Sequence, residues 1–191
     1  MNGAGRILAA VLIAAGAIGF LAVPSQAKIG LEAIEARVGL ASLEDDAGST
    51  FIISAAADMG MLTKDLGLEF NADFWTKGWG DEEVAEWTWT NIAFLANLRY
   101  AFPMKGGSFH PFAFGGIGFS YWKADWDCKY CDDEIWGDLS ESGIEFGLDL
   151  GLGADFGSGE GMMPTVRAGY NTNGGGDYLF IQGGLKFPVG K

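Results

Sequence analysis

The stretch SGIEFGLDLGLGADF, Ser142 to Phe156, alternates between two chemically different sets of side chains. Its even-numbered positions from Ile144 onward are apolar, whereas its odd-numbered positions carry glycine or a carboxylate. Because successive side chains of a strand point to opposite faces, the stretch predicts a strand with one apolar face and one small or acidic face. A helix would mix the two sets. The pattern is typical of a transmembrane barrel strand, which is apolar toward lipid and polar toward the lumen.

Eight segments of the chain alternate in this way, and each has the roughly nine residues that a tilted strand needs to cross the hydrocarbon core. They are residues 30–42, 50–62, 66–75, 84–102, 109–122, 140–156, 163–171 and 178–189. We therefore predict an all-β fold, an eight-stranded antiparallel up-and-down transmembrane β-barrel. Links after the odd segments are mostly longer and more acidic, so we expect them outside the cell and both termini in the periplasm.

The first 27 residues predict a secretory signal peptide. One arginine precedes an apolar run from Ile7 to Val23, and small residues lead to Ala27, where cleavage is expected. An uncleaved membrane anchor is the alternative, since the apolar run is almost long enough to span a bilayer. The expected domains are a signal peptide at 1–27 and an outer-membrane β-barrel at 28–191.

The chain is acidic, with a net charge of −13, and loss of Arg6 with the signal makes it one unit more negative. Nucleic acid is excluded as a partner because it needs a basic patch. The expected partners are outer-membrane lipids and an unidentified surface partner, and the chain is expected to be a monomer without a cofactor. The acidic links could also gather a divalent cation weakly, although a solvated, repulsive face is the favoured interpretation.

Ionisable residues on the polar faces of the strands predict a charge network inside the barrel. Eight strands leave an interior that side chains just fill, and buried charges must be paired. The predicted network is Glu35, Arg37, Asp58, Glu69, Asp73, Arg99, Glu145, Asp149, Arg167 and Lys186. The predicted pairs are Arg37 with Asp58, Arg99 with Glu69 or Asp73, and Arg167 with Glu145 or Asp149. This favours a plugged polar lumen over a large pore, with a narrow ion-conducting path as the alternative.

Aromatic residues collect at both predicted ends of the barrel. The seven tryptophans fall near the end with the longer links, which predicts a girdle at the membrane interface. They are Trp75, Trp79, Trp87, Trp89, Trp122, Trp126 and Trp136. A second girdle at the opposite end is predicted from Tyr100, Phe102, Phe109, Phe156 and Phe187. The alternative is that some of these rings belong to the core of a soluble barrel.

Cys128 and Cys131 lie in the longest predicted link. In an exported protein two thiols this close predict a disulfide, which would stiffen the link. Redox catalysis is an alternative that lacks a supporting fold pattern, and two cysteines supply only half of a structural zinc site.

His110 is the only histidine, and Ser108 lies two residues before it. A serine hydrolase needs a histidine base beside its nucleophile, so a lipid-modifying enzyme such as a lipid A acyl hydrolase is the enzymatic alternative. No partner carboxylate or His-x-Ser pattern accompanies His110, and we interpret it as a rim residue of a barrel that is not an enzyme.

Residues 110–120, HPFAFGGIGFS, resemble the Pro-aromatic strand with alternate inward glycines of the small outer-membrane barrels, the OmpA/OmpX-like family that includes opacity-like proteins. The resemblance covers the mature chain and implies a cell-envelope protein with a structural or surface-interaction role. The sequence departs from the family at its end, because Phe187 is followed by Pro188-Val189-Gly190-Lys191 and the last residue is not aromatic.

Overall fold

The computed structural model describes residues 28–44, 47–81, 85–104, 107–128, 139–158, 161–173 and 176–189. The predicted signal peptide at 1–27 lies outside the described residues. Eight antiparallel strands close into one ring in sequence order, which confirms the predicted fold. They are β1 (Lys28–Leu43), β2 (Ser49–Met61), β3 (Leu66–Asp81), β4 (Ala85–Ala101), β5 (Phe109–Cys128), β6 (Leu139–Phe156), β7 (Met163–Asn173) and β8 (Tyr178–Pro188). Among these residues there is no helix long and apolar enough to cross a bilayer.

The strand register is staggered around the barrel, as closure of a sheet with tilted strands requires. Following paired residues from Gly39 through β2 and β3 leads to Asn91 on β4. Following them the other way, through β8, β7, β6 and β5, leads to Ala101 on the same strand. The two routes end at different residues because the strands tilt against the barrel axis.

The outward face is apolar and the interior is polar, which inverts the arrangement of a soluble protein. On β6, Ile144, Leu150 and Leu152 are 71%, 69% and 62% exposed, whereas Asp149 between them is buried. Glu35, Arg37 and Asn97 are buried in the same way. The alternation that predicted strands therefore also assigns the faces, because hydrocarbon can solvate the apolar side and the polar groups can pair inside.

Two strands each continue for six residues beyond their predicted ends. Residues 76–81 and 123–128, expected to be links, continue β3 and β5, because both segments pair with β4. Trp79 pairs with Trp87, which in turn pairs with Trp126. Pairing with β4 therefore holds these residues in the sheet, which extends beyond the barrel.

The two ends of the barrel differ. We call the end formed by Lys28, the turn at 62–65, the end of β4 at Ala101, the start of β5 at Phe109, and Pro188 the terminal rim. We call the opposite end, where β3 to β6 extend, the tryptophan rim.

Candidate functional site: the barrel lumen

The layer of the lumen nearest the terminal rim is an ion-pair network. Lys186 bonds Asp58 and lies 3.5 Å from Glu35, so that strands β8, β2 and β1 are joined. Arg99 on β4 bonds Asp155 on β6 and lies 3.2 Å from Glu35. Most of these pairs join strands that are not neighbours in the ring.

The next layer spans the lumen. Arg167 on β7 donates to Glu69 on β3 at 2.8 Å, and β3 and β7 are opposite strands of the ring. Arg167 also donates to Asp149 at 3.1 Å, while Arg37 donates to Glu35 at 2.6 Å. Glu69 lies 3.8 Å from both Arg37 and Arg99, so it sits among three guanidinium groups. The paired charges therefore connect opposite strands across the interior.

Aromatic rings fill the space beside the guanidinium groups. The Arg99 Cζ lies 3.5 Å from the centre of the Phe112 ring, and the Arg167 Cζ lies 3.7 Å from that of Phe114. A Cβ added at Gly151 would collide with Phe114, so glycine at this inward position makes room for the ring. Gly153 on β6 and Gly169 on β7 likewise lie against phenylalanine rings, so these inward glycines and the inward phenylalanines are complementary in shape.

Above the ion pairs lies a layer of neutral polar side chains. Asn91, Asn97, Asn171 and Ser120 are fully buried. Asn97 donates to Asp149 at 3.1 Å, but Ser120 Oγ and both polar atoms of the Asn91 amide have no hydrogen-bond partner among the described residues. Buried groups of this kind are usually satisfied by water, so this layer has the chemistry of a hydrated section of the lumen.

The indole rings toward the tryptophan rim lie on the lumen side of the sheet, which corrects the predicted girdle. Trp75 is 1% exposed and packs edge-on against Trp89 and Tyr178, with ring centres 6.0 Å apart in both cases. Trp79 and Trp89 pack against the same interior cluster. Trp122 pairs with the inward residue Asn91, and Trp87 pairs with Trp126, so all six described tryptophans share the lumen side of the sheet. The prediction that they face the lipid interface was wrong, and Trp136 lies outside the described residues.

Strand parity could have revealed this orientation. Trp75 follows Glu69, Asn71 and Asp73 at steps of two, so it belongs to the polar, inward set of β3. The position of the tryptophans along the chain indicates only which end of the barrel they occupy, whereas the alternation indicates which face they share. At the terminal rim the predicted aromatics do face outward: Tyr100, Phe102, Phe109, Phe156 and Phe187 are each about 40% exposed.

The structure changes several predicted ion pairs. Arg37 pairs with Glu35, Glu69 and Asn71, whereas Asp58, its predicted partner, bonds Lys186. Asp73, a predicted partner of Arg99, accepts a hydrogen bond from Ser54. These partners were predicted from neighbouring strands, but long side chains in a narrow barrel reach across the lumen to strands two, three or four positions away.

Glu145 does not belong to the network. It is exposed and has no ion pair among the described residues, because β7 pairs with β6 only as far as Gly147 and leaves Glu145 beyond that strand. Asp155 belongs to the network instead, although it is absent from the predicted set. It is buried and bonds Arg99 and Thr165, and it could have been found because it occupies the inward set of the Ser142 to Phe156 stretch.

The structure describes only part of the remaining predicted sites. The proposed disulfide between Cys128 and Cys131 and most acidic link residues lie outside the residues whose side chains are described. The described part of the chain holds no group of three or more potential metal ligands. His110 is exposed at the terminal rim, where its Nε2 lies 2.9 Å from the carbonyl oxygen of Gly157.

A family model for the outer membrane protein beta-barrel domain matches residues 8–187. The chain belongs to this outer-membrane β-barrel family. Solved barrels of this kind share its fold at low sequence identity. Ail, the attachment invasion locus protein of Yersinia pestis, is similar with a TM-score of 0.56 and 13% identity, covering 83% of this chain and 99% of Ail.

Two further solved structures resemble this family member. Neisserial surface protein A has a TM-score of 0.55 and 15% identity over 82% of this chain and 96% of its own. A major outer membrane protein from Thermus thermophilus has a TM-score of 0.61 and 10% identity, with 82% and 99% covered. At these identities the likeness concerns the fold alone. No curated protein matches the chain at the level of sequence.

Proposed function

We propose that this outer-membrane barrel is a structural, surface-presenting protein with a plugged lumen, and that it is not a pore. The observation that carries the proposal is the Arg167–Glu69 pair, which joins opposite strands across the interior. Removing one member of such a pair would strand a buried charge, so the network resists opening. The indoles of Trp75, Trp79 and Trp89 add a second obstruction toward the tryptophan rim.

Planar-bilayer recording of the folded full chain tests this proposal. We expect no steady conductance at moderate voltage, because both the charge network and the indoles obstruct the path. The variant Arg167→Ala removes the side chain that crosses the lumen and is expected to increase any residual current. A large steady conductance of the wild type would overturn the plugged lumen and favour an ion-conducting barrel.

We further propose that the tryptophan rim is extracellular and the terminal rim periplasmic. The short turns at the terminal rim and the extended strands at the other end support this, because bacterial barrels place short turns in the periplasm. An epitope inserted into the link at 82–84 should be detected by antibody on intact cells, whereas the same epitope in the turn at 63–65 should be detected only after the outer membrane is opened. The reverse result would contradict this orientation and place the terminal rim outside the cell.

A lipid hydrolase is the weaker proposal. His110 is the only histidine, and its ring nitrogen is engaged by the backbone carbonyl of Gly157 rather than by a nucleophile. We therefore expect His110→Ala and wild type to give the same background in a lipid deacylation assay. Deacylation by the wild type that disappears in His110→Ala would establish an enzyme instead.

A further inference from the structure

Four strands extend beyond the rest of the barrel at the tryptophan rim. β1 ends at Leu43, β2 begins at Ser49 and β7 ends at Asn173. In contrast, β3 and β4 remain paired as far as Asp81 and Ala85. β5 and β6 extend similarly, with Trp126 paired to Leu139. We call residues 76–81, 85–90, 122–128 and 139–145 the projecting sheet.

The two faces of the projecting sheet differ in chemistry. One face, continuous with the barrel exterior, is hydrophilic except for Ile144 at its boundary with the barrel. Thr76 and Thr90 contact each other there through their hydroxyls, and Lys123 pairs with Asp125 at 2.6 Å. The other face, continuous with the lumen side, carries Trp79, Trp87, Trp89, Trp122 and Trp126. The sheet therefore ends in an indole-bearing surface that is outside the apolar band of the barrel.

Part of this indole surface is accessible. Trp79 and Trp89 pack downward onto the interior cluster, but Trp87 is 51% exposed and stacks on Trp126, with ring centres 5.9 Å apart and planes at 25°. Trp122 lies on Gly143, where an added Cβ would be 2.8 Å from the indole Nε1. Large exposed aromatic groups in a soluble region commonly mark contact surfaces.

Carboxylates share this face with the indoles. Glu141 and Glu145 lie on either side of Gly143, point to the same side of the sheet as Trp122, and are exposed. Neither forms an ion pair with any described residue. Lys77 lies on the same face, where it pairs in register with Trp89 and donates to the Ser49 carbonyl at 3.1 Å, so the two carboxylates are opposed by one ammonium group. Lys123 lies on the opposite face, where the hydrogen bond to Asp125 raises its pKa. The face is therefore both aromatic and electrostatically negative.

We propose that this face of the projecting sheet binds a basic polypeptide segment, chiefly through arginine side chains. A guanidinium plane stacks favourably on an indole and can pair with a carboxylate at the same time. In the strand register Glu141 lies diagonal to Trp126 and Glu145 lies diagonal to Trp122, so carboxylates and indoles are neighbours on one face. The inference rests on the proposed surface-presenting role, and it names the chemistry of the partner. The acidic character of the whole chain would steer such a partner toward the surface and repel polyanions.

The test measures binding of a short oligoarginine peptide to the full chain folded in lipid nanodiscs, by calorimetry at low and physiological salt. We expect saturable binding that weakens with salt, and weaker binding of an oligolysine of equal charge, because lysine lacks the stacking plane. The double variant W87L/W126L should weaken oligoarginine binding about tenfold and reduce its advantage over oligolysine. The double variant E141Q/E145Q should weaken both peptides.

The matched control is E32Q/D65N, which removes two carboxylates near the terminal rim and should change binding by less than about twofold. Equal losses in the control and in E141Q/E145Q, or binding unaffected by W87L/W126L, would overturn the proposal, as would binding of a neutral oligosaccharide through Trp87 in place of the peptide. The outcome is separable from the conductance test. A barrel that conducts ions but still binds the peptide through Trp87 would contradict only the plugged lumen. A barrel that does not conduct and binds no peptide would contradict only the proposed peptide-binding face.

Discussion

Glu69 is the residue on which the lumen network converges, and it lies within 4 Å of three arginines. Buried charges in a narrow interior stabilise a fold only when each has a partner, so the cost of losing one partner exceeds the benefit of forming the pair. Glu145 has the same side chain and the same strand parity, yet it is exposed. The two residues form a natural comparison between a buried and a solvated carboxylate.

We predict that Glu69→Gln lowers the free energy of unfolding by about 3 kcal/mol, because it leaves Arg167 and its neighbours incompletely paired. Glu145→Gln should change it by less than about 0.5 kcal/mol, as is usual for an exposed position. Urea unfolding in lipid vesicles, followed by tryptophan fluorescence, measures both. Similar values for the two variants would contradict the buried network.

Gly143 tests the packing of a single ring. All three atoms nearest to a Cβ added there belong to the Trp122 indole. Gly143→Ala should therefore destabilise the folded chain by about 1–3 kcal/mol, the usual cost of overpacking. In a double-mutant cycle the loss should largely disappear in the background of Trp122→Leu, whereas Gly30→Ala, with nothing within 4 Å, should show no such coupling. If the losses of stability in the two single variants simply added in the double variant, the alanine at position 143 would not act through contact with Trp122.

At the scale of strands, the alternation of side chains carries more information than the location of residue types. It located all eight strands, because a period of two that recurs along every crossing segment is characteristic of barrel strands. It also assigned Glu35, Arg37, Glu69, Arg99, Asp149 and Arg167 to one side. Cross-lumen partners such as Arg167 and Glu69 could not be paired from the sequence, because their distance depends on the barrel radius and on which long side chain reaches inward first.

The ends of strands were also harder to predict than their centres. Residues 76–81 contain two glycines, a lysine and an aspartate, which are common in links. Pairing with β4 nonetheless holds them in the sheet, as Trp79 opposite Trp87 illustrates. Tertiary pairing therefore overrides local composition in the projecting sheet.

The inward orientation of the tryptophans predicts a distinct fluorescence response. With lipids brominated on their acyl chains, quenching of indole emission should be weak, because the described indoles lie in the lumen or beyond the rim. Acrylamide in the aqueous phase should quench a fraction that falls in Trp87→Leu, since Trp87 is 51% exposed. Strong quenching by the brominated acyl chains would contradict the inward orientation and show that the indoles face lipid.

At the scale of the molecule, a closed ring with no free strand edge resists unfolding by detergent alone. We predict that unheated protein in a denaturing detergent gel migrates faster than heated protein, and that the faster form is recovered in the outer-membrane fraction. Glu69→Gln should lower the temperature at which the faster form is lost, while Glu145→Gln should not. A single band position at all temperatures would argue against a stable closed barrel.

A membrane-embedded barrel requires hydrocarbon to solvate one face of every strand while paired polar groups occupy the interior. A scan of nitroxide spin labels along β6, from residue 143 to residue 155, with the protein in lipid bilayers, tests this most directly. Labels replacing Phe146, Leu148, Leu150 and Leu152 should be highly accessible to oxygen and poorly accessible to a polar nickel reagent, whereas labels at Gly147, Asp149 and Gly151 should be poorly accessible to oxygen, giving a period of two. Even-numbered labels that the polar reagent reaches, or that neither reagent reaches, would contradict the membrane-embedded barrel.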